Sequence, residues 1–421
     1  DGYYDGDGKG GQEGNIWKLR ITPDMEGEWQ WHTQSNDPHL DGQQGSFSCI
    51  SSDDPGPIVA EGRYFRYRDG PFVFLIGNFL DNAAAVHEQY SHTLLSEEIT
   101  AQNRDHMILR HRDFHRANKM NIYLANVEDY GGISTTPWLG TASSNDKTRF
   151  DLSRWRMYDE TIARLRSEGI AAELWFFADD SGFGDLPDSI RKLLIRYAMA
   201  RLSAYSHTLF VLCLEWQEGW SVQEVRTTAQ YLQEHNPWRR LLSVHGTSGD
   251  FAFPNEPWAD FMATQPGNSI TPAANNRHTL RNRALAKKPL LVEEFGHLNT
   301  PGDPRLRGNL WAAFCGGAAG TGTGSDLASL RYFMETVNLP FERMDPANSV
   351  ASNGFVLASI GEVYVVYVPD GRPVTLHVPY GKYTAAWYDP LDSSAMPKFR
   401  WIYDPRRGAL GEEFTFEPPD N

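Results

Sequence analysis

The sequence predicts an α/β fold, a (β/α)8 TIM barrel with β-rich segments before and after it, and three observations lead there. Short apolar runs alternate with helical patterns over residues 56–345, the texture of a parallel sheet covered by helices. Eight such runs can be counted in that stretch, and its span of roughly 290 residues suits a barrel of eight βα units. Before residue 55 and after residue 346 the helical periodicity is replaced by short alternating runs separated by turn clusters. At 421 residues the chain accommodates this division, since one domain takes roughly 150 residues.

Residues 1–55 carry β-like runs at 17–22, 27–32 and 45–50, read as a β-sandwich portion. Three strands are too few to close a sandwich. The segment is either the end of a β-domain or packs on something else, and the Pro/Gly-rich run at 51–57 links it onward. Barrel strands are expected at 72–76, 120–125, 171–177, 209–214, 241–244, 261–264 and 289–292. The small-residue run 312–320 marks either the eighth strand or a helix packed closely on the sheet. Helices are expected at 151–168 with Asp151 as N-cap, at 188–205, at 221–235 before Asn236-Pro237, and at 327–337. Runs at 355–359, 363–368, 374–378 and 383–388 read as a C-terminal β-sandwich over 346–421.

Composition narrows the partners. Lys and Arg total 39 against 54 Asp and Glu, a net charge of −15, so the summed field repels phosphate backbones and anionic lipid; neither nucleic acid nor a membrane is expected as a partner. No apolar run approaches the roughly 18 to 20 residues of a membrane span. Cys49, Cys213 and Cys315 are too far apart for a zinc pair, and Cys213 and Cys315 read as small buried hydrophobes. Asp5-Gly6-Asp7-Gly8 lacks the further acidic ligands of a calcium loop and reads as a turn, so no metal is expected. The glycine-rich run 316–324 lacks the Gly-Lys-Ser/Thr of a P-loop, and there is no Gly-x-Ser-x-Gly elbow.

Functional groups of such barrels sit past the C-terminal ends of the strands. Strand four leads through Leu214 to Glu215 and Glu218, flanked by Trp216 and Trp220. Strand seven leads through Val292 to Glu293 and Glu294. A carboxylate at the end of a hydrophobic strand costs desolvation energy unless it has a partner or a task. Strands four and seven face each other across a barrel mouth, and glycoside cleavage uses such a pair: one acid protonates the leaving oxygen, while the other attacks from about 5 to 5.5 Å away in a retaining mechanism. Adjacent strand residues point to opposite faces, so Glu293 and Glu294 are not expected to share the mouth.

These residues resemble those of the clan A retaining glycoside hydrolases. Gln217-Glu218 is similar to the Asn-Glu that ends their fourth strand, and residues 288–296, Lys-Pro-Leu-Leu-Val-Glu-Glu-Phe-Gly, to their nucleophile segment. Residues 4–8, 17–23 and 27–29 resemble the N-terminal β-sandwich found ahead of such barrels. Residues 354–359, 364–369 and 387–390 resemble the collagen-binding-type C-terminal module of the branch that includes apiosidase-like enzymes. The resemblance implies a retaining hydrolase of a plant, algal or microbial polysaccharide, with Glu218 as acid/base, Glu294 as nucleophile, Glu215 as a supporting group and no cofactor. It also implies a secreted, periplasmic or cell-surface location. Gln217 departs from the usual Asn, which holds the sugar 2-hydroxyl.

Further polar candidates at strand ends are Asn78, Asn126, Glu128, Asp179, Asp180, His245, Gln265 and His297, each able to orient a hydroxyl or a carboxylate. Aromatic residues reach 13%, and sugar rings stack on such faces; Trp138, Trp175, Trp216, Trp220 and Trp258 are placed for it. Two rival readings stand beside the hydrolase: a carbohydrate- or matrix-binding protein on a barrel scaffold without catalysis, and a polysaccharide lyase.

Overall fold

The computed structural model describes residues 1–77, 101–125, 136–141, 144–177, 186–267, 269–295, 304–322, 327–391, 399–403 and 408–419. Among these, eight short parallel strands form the centre. In chain order, strands one to eight are Leu75–Ile76, Lys119–Tyr123, Ala171–Phe177, Thr208–Cys213, Leu242–Ser243, Met262–Thr264, Leu290–Glu293 and Gly320–Gly322. Strands five, four, three and two form one sheet, and six, seven, eight and one another. The sheets touch at both edges. At one edge His245 bridges Ala263 in parallel, and the Asp260 N–H donates to Leu242 O at 2.8 Å. At the other the Asn118 N–H donates to Ile76 O at 2.8 Å, while the Asn118 side chain accepts from the Ile76 N–H at 2.7 Å and donates to Phe74 O at 3.1 Å.

Register decides which side chains share a face, because parallel partners point the same way. The pairs Lys119↔Ala171, Asn121↔Glu173, Tyr123↔Trp175, Trp175↔Val211 and Val211↔Ser243 define one face of the first sheet. Ala263↔Leu291, Leu291↔Gly320 and Gly320↔Leu75 define one face of the second. Lys119 of the first sheet bonds Glu293 of the second, so these two faces meet in a common interior. Strand three is buried at all seven positions, which is why its sequence is almost continuously apolar rather than alternating.

The small-residue run resolves in favour of the helix. Ala312 to Cys315 end the helix Pro304–Cys315, and strand eight begins only at Gly320. A Cβ at Gly320 would lie 2.4 Å from Leu291 Cδ2, so only glycine lets strand eight pair this closely with strand seven. The helices Leu152–Ser167, Asp188–Leu202, Val222–Glu234 and Leu327–Val337 occupy the expected positions. Asp151 caps the first of them, accepting from Ser153 N–H and Arg154 N–H at 3.0 and 3.3 Å.

The N-terminal residues form two antiparallel pairs, Tyr3–Tyr4 with Trp17–Lys18 and Gly27–His32 with Gln44–Cys49. A buried ionic network ties them to the helices: Arg201 bonds Asp5 and Asp159 at 2.7 Å each, Lys18 pairs with Asp5, and Arg20 with Asp159. Asp7 accepts from the Lys9 and Gly11 N–H groups at 2.7 and 2.8 Å, so the Asp-Gly-Asp-Gly motif is a turn with both carboxylates already engaged. A three-stranded meander, Ile58–Glu61, Tyr64–Tyr67 and Phe72–Val73, follows the run read as a linker and takes up the first two residues of the expected strand one. After residue 345 every described strand pairing is antiparallel. Aromatic contacts join this last part to the helices before it: Trp311 stacks on Tyr367 at 5.7 Å, and Phe333 packs on Tyr388 at 5.1 Å. Among the described residues, no helix is long and apolar enough to cross a membrane.

Candidate active site

Strand seven brings both of its glutamates inside. Glu293 follows Leu291 by two residues on the inward face and bonds Lys119. Alternation should then turn Glu294 outward. Instead its backbone is left-handed, with φ 47°, and its carboxylate Oε2 lies 3.9 Å from His245 Nε2. The expectation that the two do not share the mouth rests on alternation, which holds only while the backbone stays extended and ends at Glu293; both point inward, Glu294 toward His245 and Glu293 toward Lys119. Glu294 is 5% exposed.

Strand four ends in the same manner. Past Cys213 the backbone at Glu215 is left-handed, with φ 42°, and a 3-10 turn, Trp216–Glu218, follows. The Glu218 N–H donates to Glu215 O at 2.9 Å and the Trp220 N–H to Trp216 O at 2.8 Å. Ser221 and Glu224 then form a reciprocal capping box, at 2.8 and 3.2 Å, that starts the next helix and anchors the turn. Glu215 is half-buried, whereas Gln217 and Glu218 are exposed. Gln217 Oε1 accepts from the Thr247 N–H at 2.9 Å.

His245 joins the two strand ends. Its carbonyl accepts from the Trp216 N–H at 3.1 Å, its ring lies 5.1 Å from that of Trp175, and Glu294 approaches its Nε2. It is fully buried, and among the described residues neither ring nitrogen has a hydrogen-bond partner. Burial pushes its pKa down to about 4; the Glu293 charge opposes this and the Lys119 charge adds to it. The ring is therefore neutral at pH 7. Gln265, two residues past the inward Ala263, is 5% exposed, and among the described residues its Oε1 has no partner.

The five tryptophans are all buried. Trp175 packs on Tyr123 and His245, Trp216 and Trp258 on Phe253, and Trp220 on Phe177 with the Arg191 guanidinium 4.8 Å above its ring. Their faces are taken up by protein neighbours, with Trp138 1% exposed. Asn78, Asn126, Glu128, Asp179, Asp180 and His297 lie outside the described residues. Sequence reasoning passed over Lys119, Asn121 and Glu173, which are buried beneath this region. The signal was a charged residue inside the apolar run 171–177 and a lysine at the start of strand two. Among the described residues, no group of three His, Cys, Asp or Glu is arranged to hold a metal ion.

Three buried histidines make the fold acid-sensitive. Burial lowers His111 to about 3 and His245 and His278 to about 4, against roughly 6.5 in the unfolded chain. The unfolded state therefore binds more protons between pH 6.5 and 4, and stability is lost as pH falls through that window. The three histidines contribute a slope of up to about 4 kcal/mol per pH unit. The Glu173 and Asp260 carboxyls, raised by burial to about 8 and about 6, oppose it by up to about 3 kcal/mol per pH unit, leaving a net loss of stability toward acid. Urea unfolding at a series of pH values from 7 to 4.5 checks this; a flat midpoint would contradict it.

Comparison with known proteins places the fold. A domain of unknown function, DUF5060, matches residues 1–36. No curated protein sequence matches the chain. A glycoside hydrolase family 5 protein from Bacteroides vulgatus is similar in structure with a TM-score of 0.67 and 16% identity, over 87% of this chain and 90% of its own. A second solved glycoside hydrolase gives 0.64 at 15% identity, over 87% of this chain and 94% of its own. A further Bacteroides vulgatus protein gives 0.66 at 17% identity, over 92% and 78%. This chain thus shares a mixed α/β fold with solved glycoside hydrolases.

Proposed function

We propose that this protein is a retaining glycoside hydrolase built on a closed (β/α)8 barrel of residues 56–345, with β-sandwich parts at 1–55 and 346–421. The observation that carries the reading is Glu294: a buried carboxylate turned into the interior by a left-handed backbone, beside a neutral histidine. Left-handed conformation at a non-glycine residue costs on the order of 1 kcal/mol, and such positions cluster where a side chain must be aimed. The fold shared with solved glycoside hydrolases supports the reading.

In this mechanism the Glu294 carboxylate attacks the anomeric carbon as a glutamate of the strand-four turn protonates the leaving oxygen. The same strand-four group then deprotonates the water that releases the glycosyl–enzyme. The resemblance assigns the proton donor to Glu218, while the half-buried Glu215, nearer the strand, is favoured by burial. His245 and Gln265 orient hydroxyls of the bound sugar, and the substrate is a plant, algal or microbial polysaccharide.

The test is incubation with a panel of such glycans, with the nascent product followed by proton NMR before mutarotation. The expected first product has the anomeric configuration of the substrate. An inverted product would overturn retention. An unsaturated product absorbing in the ultraviolet would make the protein a lyase, and binding without cleavage would make it a carbohydrate-binding protein.

A further inference from the structure

Beneath Glu294 and His245, Lys119, Glu173 and Glu293 share the interior with exposures of 0%, 0% and 1%. Lys119 Nζ donates to Glu173 Oε2 and Asn121 Oδ1 at 2.6 Å each, and to Glu293 Oε1, so its three protons are all engaged. The Asn121 amide donates to the same Glu293 oxygen at 3.4 Å. Burial disfavours the ammonium, but the Glu173 and Glu293 charges outweigh it and raise the Lys119 pKa above the ordinary lysine value. Burial, reinforced by the Glu293 charge, pushes the Glu173 carboxyl up to about 8.

A buried ion pair is a weak source of stability, since apolar side chains of the same volume commonly do as well. Its location points to another role. Glu293 is the last residue of strand seven, and the left-handed residue follows it at once. An extended backbone at residue 294 would carry its carboxyl away from His245; a strained turn persists where surrounding contacts hold it, and the Lys119–Glu293 contact adjoins it directly.

We propose that Lys119 is a positioning residue, whose ammonium pins Glu293 into the interior and thereby fixes the backbone turn that directs the Glu294 carboxylate at His245. This rests on the reading of Glu294 as the nucleophile. Lys119 is fully buried and acts through Glu293.

Two variants test it. Lys119→Met keeps the chain length and removes the charge. Turnover is expected to fall about 10- to 100-fold with KM within about twofold, as for a misplacement of about 1 Å at a reacting group. The triple variant Lys119→Met, Glu173→Gln, Glu293→Gln removes every charge of the cluster, so its melting temperature should be at or near that of the parent while turnover stays low. A crystal structure of either variant should show residue 294 extended and its carboxylate away from His245. Parent-like turnover in a folded variant, or an unchanged Glu294 backbone, would overturn the proposal. If the parent protein shows no glycosidase activity, or Glu294→Ala retains it, the functional reading fails, and the crystallographic result still decides the role of Lys119.

Discussion

Glu294→Ala should lower turnover by about three to five orders of magnitude while leaving the fold in place, the scale of loss found when a nucleophile acting in the transition state is removed. The fold should survive because the residue lies just past the end of the strand, and alanine leaves the Lys119–Glu293 anchor intact. The space vacated beside His245 admits a small anion. With an activated aryl glycoside, azide should restore part of the rate and yield the glycosyl azide of opposite anomeric configuration, because the anion now attacks where the carboxylate did. Steady-state kinetics with and without azide, with NMR of the product, decide the matter. Parent-like turnover in a variant with unchanged circular dichroism would remove Glu294 from the mechanism.

The strand-four glutamates carry the second large effect. Alanine at the true acid/base should slow cleavage of natural glycans by about two to four orders of magnitude. The same variant should nearly retain the first step on dinitrophenyl glycosides, whose leaving group needs no proton. Glu218→Ala and Glu215→Ala, assayed side by side on both substrates, separate the residue assigned by resemblance from the one that burial favours. The variant showing the split identifies the donor. If both lose activity equally on the two substrates, the turn positions substrate and the donor lies elsewhere.

Seven of the eight parallel strands lie where the apolar runs place them, because a strand buried on both faces must be almost wholly apolar and such runs are local. The eighth was ambiguous for a physical reason. Ala and Gly serve equally in a helix packed closely on its neighbours and in a strand with no room for side chains, and residues 304–322 contain both in succession. The meander at 58–73 was obscured by the Pro/Gly run before it, which reads as linker. The tryptophans were read as stacking platforms from their place at strand ends, but ring type does not reveal which neighbour will cover the face. Phe253 and Arg191 do so from 37 residues further along and 29 residues back in the chain, measured from Trp216 and Trp220 respectively.

What the sequence determined by itself was the order of alternating strands and helices and the presence of carboxylates at the ends of strands four and seven, since burial pattern and strand-end position are properties of neighbouring residues. Tertiary structure decided where those carboxylates point. Alternation assigns Glu293 and Glu294 to opposite faces, and only the left-handed turn at φ 47° brings both inside. That turn stands beside an anchor, Lys119 on Glu293, whose partners lie 174 residues apart. A backbone conformation that is unfavourable locally persists only where distant contacts compensate it, and no window of sequence contains both sides of that balance.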